Sequence, residues 1–241
     1  MIAILSDFGN SEYIGVMKGV ILSHGINLKI VDLCNTVSKQ DVREGAWILY
    51  STYRYFPKKT VFLCVVDPSV GTARQAISIE TKNYYFVGPD NGLMWPAAEQ
   101  DGILRVVALD VSMASATFHG RDVFAGAAAQ LDRQGNISRL GKKTAIKSKI
   151  EFFLRDRVGE VVRIDNFGNL VTNLNHDGKA KYEANHGTKK LSLPFFRTYD
   201  EAPADTLFLI EGSAGTLEIS EKNKRASELM KAKTGQRIEI R

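Results

Sequence analysis

The apolar pattern of this chain changes character near residue 149, and that change constrains the fold more than any other feature. Before it, β-forming runs alternate with segments of helical period. Residues 2–5 are a short apolar run, followed by Asp7-Phe8-Gly9. Ile14, Met17 and Ile21 then fall on one helical face, with Asn10 or Ser11 as the expected cap. Residues 29–33 predict a second strand. Ser38 with Asp41 resembles a capping box opening a helix that carries Val42, Ala46, Leu49 and Tyr53 and stops at Pro57. The continuous run 61–66 suits a strand buried on both faces. Residues 76–80 and 84–87, joined at Lys82-Asn83, read as a hairpin. A helix over 121–134 is expected to end in a left-handed cap at Gly135. The alternation predicts an α/β domain over residues 1–147, Rossmann-like, with a mostly parallel sheet.

Beyond residue 149 the runs are short: 161–164, 170–174, 191–193, 207–210, 216–219 and 238–240. Turn residues separate them, and only 226–232 looks helical. That texture predicts a smaller all-β, barrel-like domain over residues 148–241, with the basic stretch 141–149 as the linker.

Composition narrows the partners. The net charge of +5 comes from scattered lysines without interleaved aromatics, so a nucleic-acid platform is not expected. No apolar run approaches the roughly 18 residues that span a bilayer, and no basic leader precedes the first strand. A cytoplasmic protein without a membrane partner is expected. Cys34 and Cys64 lack ligand spacing and read as buried free thiols in a reducing compartment.

Ligands of open parallel sheets sit beyond the carboxyl ends of the strands. Asp7 and Asp67 close the first and third strands, and each leads into a glycine-containing turn. Either is also an ordinary turn cap. Having two at equivalent strand ends favours a site. Arg74 follows Gly71 closely enough to fold over the same crevice, although a surface arginine has the same spacing. His119 stands just before a helix and reads as a site residue or as a structural histidine. In the second half, 165–169 joins two strands, and the small residues 212–215 offer backbone N–H groups to a carboxylate. A metal-dependent hydrolase of a nucleoside-type substrate would draw on Asp7, Asp67, Asp90, Asp122 and His119, yet no pair has i, i+4 ligand spacing.

Five segments in order, VVDPSVGTAR (65–74), VGPDNGL (87–93), TFHGRDVFAGAAA (117–129), IDNFGNLVTN (164–173) and EGSAGTLEIS (211–220), resemble the S-adenosylmethionine hydroxide adenosyltransferases, relatives of the fluorinase and chlorinase. The resemblance implies an N-terminal α/β domain, a C-terminal β-barrel and a homotrimer with active sites at subunit interfaces. It also implies hydrolysis of S-adenosyl-L-methionine to adenosine and L-methionine by water or hydroxide at the ribose C5′. Carried onto this chain, it implies that Asp67, Arg74 and His119 hold and polarise the water, either Asp67 or His119 being the base. Asp7 would take the ribose hydroxyls, Glu12 would stand near the methionine end, and Asp165 would pair with the ammonium. Ser213 and the Ala214 backbone would hold the carboxylate, while Phe167, Asn169 and Tyr199 would flank the nucleoside. No cofactor and no metal are implied, because the sulfonium leaves unaided.

The departures also carry information. The fluorinase has a tyrosine at the position of Asp67, a halide-binding serine at that of Gly120, and a long loop missing here between Gly71 and Gly88. A carboxylate at 67 repels halide and accepts from water, which argues against a halogenase. Val171 replaces an aromatic, and residues 221–223 are more charged than the family stretch, so the adenine pocket is expected to differ. A non-catalytic S-adenosylmethionine-binding module is the remaining alternative, although it would not need Asp67, Arg74 and His119.

Overall fold

A computed structural model of the protein describes residues 1–187 and 189–241. The chain divides into two compact units, Met1–Ile150 and Glu151–Arg241.

In the first unit, seven strands form one sheet: β1 (Ile2–Ser6), β2 (Ile30–Cys34), β3 (Val61–Val65), β4 (Ala76–Thr81), β5 (Tyr85–Pro89), β6 (Ile103–Leu109) and β7 (Gly141–Lys143). Their spatial order is β2-β1-β3-β5-β4-β6-β7. The expected mostly parallel sheet is mixed: β2, β1, β3 and β5 run parallel, whereas β4, β6 and β7 pair antiparallel. The cause is local. Parallel neighbours need a crossover of a dozen or more residues, whereas β4 reaches β5 through a tight turn that can only reverse the chain. The presumed linker is likewise a strand at its start, since β7 pairs with β6. Its later part is tied down where the Lys147 and Ser148 N–H groups donate to the Asp90 carboxylate at 2.9 and 3.2 Å.

Strand alternation builds two cores. Ile2, Ile4, Leu63 and Val65 meet α1 (Glu12–Ser23) and α4 (Ala125–Gln134) through Met17, Ile21, Ala128 and Leu131. Ala3, Leu5, Phe62 and Cys64 face α2 (Val42–Thr52) and α3 (Trp95–Asp101) through Leu49, Ala97 and Ala98. The start of α2 differs from expectation. Asp41 is the cap and accepts from the Glu44 N–H at 2.9 Å, while Glu44 turns back to the Ser38 N–H at 2.8 Å. Gly135 takes the expected left-handed cap. Phe62 is fully buried, stacked on Phe86 and edge-on to Phe56 and Tyr84. Phe62→Ala should therefore cost about 3–5 kcal/mol, read as a shift in the urea midpoint at unchanged slope.

The second unit is an antiparallel sheet of β8 (Val158–Ile164), β9 (Leu170–Thr172), β10 (Lys181–His186), β11 (Lys189–Pro194), β12 (Leu207–Glu211), β13 (Leu217–Glu221) and β14 (Arg237–Ile240). The order is β11-β10-β14-β8-β9-β13-β12. A bridge between Phe195 and Leu209 brings the two edges together, so the sheet closes almost into a barrel. Near-closure hides edges that would otherwise template pairing. Val161, Leu170, Leu193, Leu209, Leu217, Ile219 and Ile238 fill the interior, with α5 (Ala226–Met230) packed against them. Among the described residues, no helix is long and apolar enough to cross a membrane.

Candidate active site

Asp7 and Asp67 both stand where their strands end. Asp7 follows β1, Asp67 follows β3, and both line one cavity of about 760 Å³. The turn after Asp67 is held tightly. Gly71 has a φ of +78°, and a Cβ there would lie 2.4 Å from the Ala116 carbonyl oxygen. Any side chain at this position would push the turn away, so glycine sets the close approach of the 67–74 loop to the 114–118 segment.

That approach brings three separated residues into contact. Arg74 donates from Nε to Asp67 Oδ1 at 3.0 Å and from Nη2 to Asp67 Oδ2, a two-pronged ion pair. The Ser69 hydroxyl donates to Asp67 Oδ1 at 3.3 Å. The same Arg74 Nη2 lies 2.9 Å from His119 Nδ1. The Asp67 and Arg74 side chains are 6% and 7% exposed, and His119 is 7% exposed. A guanidinium only donates, so His119 Nδ1 accepts and the ring proton sits on Nε2. Burial, and after it the positive charge of Arg74, hold the His119 pKa below its ordinary value, while Asp67, Asp122 and the Ser115 backbone oppose this. The imidazole is thereby kept neutral. It lies at the start of a π-helical turn, Gly120–Phe124, that leads into α4.

Asp7 Oδ2 accepts from the Gln40 N–H at 2.8 Å, and the residue lines the cavity. Glu12 is exposed in the first turn of α1 and is not among the residues lining the cavity. Sequence reasoning missed the aromatic wall. Phe8, Tyr13 and Phe118 pack with ring centroids 5.2–5.8 Å apart, and the Arg121 guanidinium lies 5.4 Å from the centre of the Phe118 ring. Neighbouring positions 117–119 were already singled out, but nothing local pairs Phe118 with residues 8 and 13. The oxygen-rich set considered for a metal is otherwise engaged. Asp67 pairs with Arg74, Asp90 accepts two backbone N–H groups, and Asp122 is held by Arg121 and the Ser115 N–H.

The second unit has its own cavity of about 750 Å³, lined by Asp165, Phe167, Asn169, Tyr199 and Ser213 among others. Ala214 belongs to the adjoining turn but is not among the lining residues. Asp165 Oδ1 accepts from the Phe167 and Asn169 N–H groups at 2.9 and 2.8 Å, and Oδ2 from Asn169 Nδ2 at 2.9 Å. Asn169 Nδ2 also reaches the Tyr199 hydroxyl at 3.1 Å. Phe167 is largely exposed and Tyr199 partly so, leaving aromatic faces free at the cavity. Glu218, unremarked in the sequence, lines the same cavity while only 8% exposed. Burial first, and then the Asp165 charge, push its carboxyl up to about 7, against the pull of Arg163 and the Tyr199 hydroxyl.

These features define a protein of an α/β unit and a barrel-like β unit, with a carboxylate–guanidinium–imidazole group in one cavity and an acidic, aromatic-edged cavity in the other. Residues 2–141 match the SAM hydroxide adenosyltransferase N-terminal domain, and residues 159–239 match its C-terminal domain. The chain belongs to the SAM hydroxide adenosyltransferase family. It is 35% identical to an (R)-S-adenosyl-L-methionine hydrolase of Methanocaldococcus jannaschii, over 100% of this chain and 95% of that protein. A fluorinase of Nocardia brasiliensis is 27% identical over 89% of this chain and 84% of its own length. The crystal structure of a conserved protein from Thermotoga maritima superposes with a TM-score of 0.92 at 33% identity, covering 100% of both chains.

Proposed function

We propose that this chain hydrolyses S-adenosyl-L-methionine to adenosine and L-methionine. The observation that carries this reading is the Asp67–Arg74–His119 group at the cavity of the first unit, within a chain similar along its whole length to an enzyme named for that reaction. The sulfonium departs as a neutral thioether, so no general acid is required. The protein's task is to place water in line with the C5′–S bond, about 3–3.5 Å from carbon, which is worth roughly 7–11 kcal/mol of barrier. With His119 Nδ1 engaged by Arg74, the ring serves to hold the guanidinium, and Asp67 is the acceptor available to the water. A carboxylate has about four lone-pair positions, of which Arg74 and Ser69 occupy three in Asp67. The fourth takes a water hydrogen, while Arg74 favours hydroxide character in the attacking oxygen. Neither step requires a metal or cofactor.

Asp7 is suited to the ribose diol, with Phe8, Tyr13 and Phe118 as an apolar wall. Glu12 retains only its place near the methionine end by resemblance. In the second unit Asp165 would meet the ammonium, Ser213 with the Ala214 backbone the carboxylate, and Phe167, Asn169 and Tyr199 the nucleoside. The cavity at the carboxyl ends of β1 and β3 supports a Rossmann-like reading of residues 1–147, with 148–241 as the second domain. The cytoplasm is the proposed compartment. Nucleic acid and membrane are not proposed partners.

A homotrimer, in which a first unit and a neighbouring subunit's second unit share one substrate, would unite the two sets of residues. Light scattering of the purified protein tests the trimer. The activity is tested by incubating S-adenosylmethionine with the protein, with and without chloride, and identifying products by mass spectrometry. Equimolar adenosine and methionine are expected at the same rate in both. A 5′-chlorinated nucleoside would indicate a halogenase instead, and tight binding without turnover a binding module.

A further inference from the structure

Asp165 is already heavily engaged by its own loop. With about four lone-pair positions and three hydrogen bonds accepted from Phe167 and Asn169, it keeps about one for a ligand. A primary ammonium brings three N–H donors. The Tyr199 hydroxyl, next along, already accepts from Asn169. A subsite for such a group therefore needs a further acceptor.

Strand register supplies one. Arg163 lies opposite Val171, Val171 opposite Glu218, and Glu218 opposite Ile210, a single row across four strands. Leu217 and Ile219, the neighbours of Glu218, turn into the barrel core, so Glu218 faces the other side. There, only 8% exposed, it lines the cavity that Asp165 and Tyr199 line. Gly212 closes over it: a Cβ at Gly212 would lie 1.7 Å from Glu218 Oε1, so a glycine is needed for the carboxyl to fit beneath the 212–215 turn.

We propose that Glu218 and Asp165 form a two-carboxylate subsite for the ammonium of the substrate, and that Glu218 holds a proton which leaves when the subsite fills. The inference rests on the reading of S-adenosylmethionine as substrate. The exchange balances simply: the neutral Glu218 carboxyl loses H⁺ to solvent, and the resulting carboxylate pairs with an ammonium that keeps its three protons. The cavity holds Asp165, Glu211, Glu218 and Glu221 against Lys222, Lys224 and Arg225, with Arg163 beside Glu218. Burial and the Asp165 charge place Glu218 at about 7, so near neutrality it is poised to exchange.

The sign of the linkage is fixed. Binding favours ionised Glu218, so affinity rises with pH below about 7 and levels off above it. The KM for S-adenosylmethionine should fall about fivefold from pH 6 to pH 7 and little beyond pH 7.5. Glu218→Gln, shown to be folded by circular dichroism, should have a KM that is flat over this range and high at pH 7.5. Glu218→Asp should restore the slope. In the wild type, inhibition by adenosine, which has no ammonium, should not follow the KM profile. Three outcomes overturn the inference: a flat wild-type KM, a slope that survives in folded Glu218→Gln, or an equal slope for adenosine. Failure of the wild type to bind or hydrolyse S-adenosylmethionine at any pH overturns the substrate reading itself, and the subsite with it.

Discussion

Asp67→Ala is expected to lower the turnover of S-adenosylmethionine by about 10²–10⁴-fold, roughly 3–5 kcal/mol of barrier, while KM changes little. The asymmetry follows from the position of the carboxylate. Asp67 lies at the end of β3, held by Arg74 and Ser69, and lines the cavity. In the proposed mechanism it acts on the water rather than on the groups that give the substrate its affinity. Removing it leaves Arg74 without its counter-charge and, in the proposed mechanism, the attacking water without an acceptor. Asp67→Asn separates these effects, because it preserves volume and one acceptor oxygen but lacks the charge. The same variant should therefore bind substrate normally and turn it over at a rate nearer that of alanine than of the wild type. Steady-state kinetics with product quantification would check both. Turnover within threefold of wild type in folded Asp67→Ala would exclude Asp67 from the reaction.

Arg74→Ala is expected to destabilise the protein by about 3–5 kcal/mol as well as to abolish most turnover. The Asp67–Arg74 pair is nearly excluded from solvent, so deleting the guanidinium strands a buried carboxylate and also removes the donor that fixes His119 in its tautomer. The cation also lies 5.4 Å from the centre of the Phe124 ring, and that contact is lost with it. Chemical denaturation would measure the stability term. The double variant Asp67→Ala/Arg74→Ala should be more stable than Arg74→Ala alone, because no unpaired charge is then buried. Its turnover should not recover. If the double variant were the less stable of the two, the pair would not be the source of the cost.

Much of this architecture was legible locally. The spacing of Ile14, Met17 and Ile21 gave the buried face of α1, Gly135 marked the end of α4, and short alternating runs beyond residue 149 announced the second, all-β unit. Such features depend on neighbours a few residues apart, where period, capping and turn chemistry act directly on the backbone. Strand direction was less accessible. Lys82-Asn83 was readable as a turn, yet its consequence, an antiparallel half-sheet through β4, β6 and β7, depends on which distant strands pair.

The candidate site divides in the same way. Asp7, Asp67 and the 165–169 loop stood out because strand ends and turn residues are visible in sequence. That Arg74 grips Asp67 and His119 together, with residues 74 and 119 brought into contact by a loop pressed against Ala116, is a property of the folded chain. Glu218 is the clearest case. Between Leu217 and Ile219 it has the alternation of an ordinary solvent-facing strand residue, and sequence could not reveal that Tyr199 and the 212–215 turn cover that face. By itself, then, the sequence determined many of the elements and the residues poised at strand ends, because these follow from short-range sterics and hydrophobic period, whereas α3, β6, β7 and β10 were not read from it. Only the tertiary structure decided which of those residues are paired, which ring nitrogen carries a proton and which carboxyl is buried, because burial and charge pairing are set by atoms far apart in the chain.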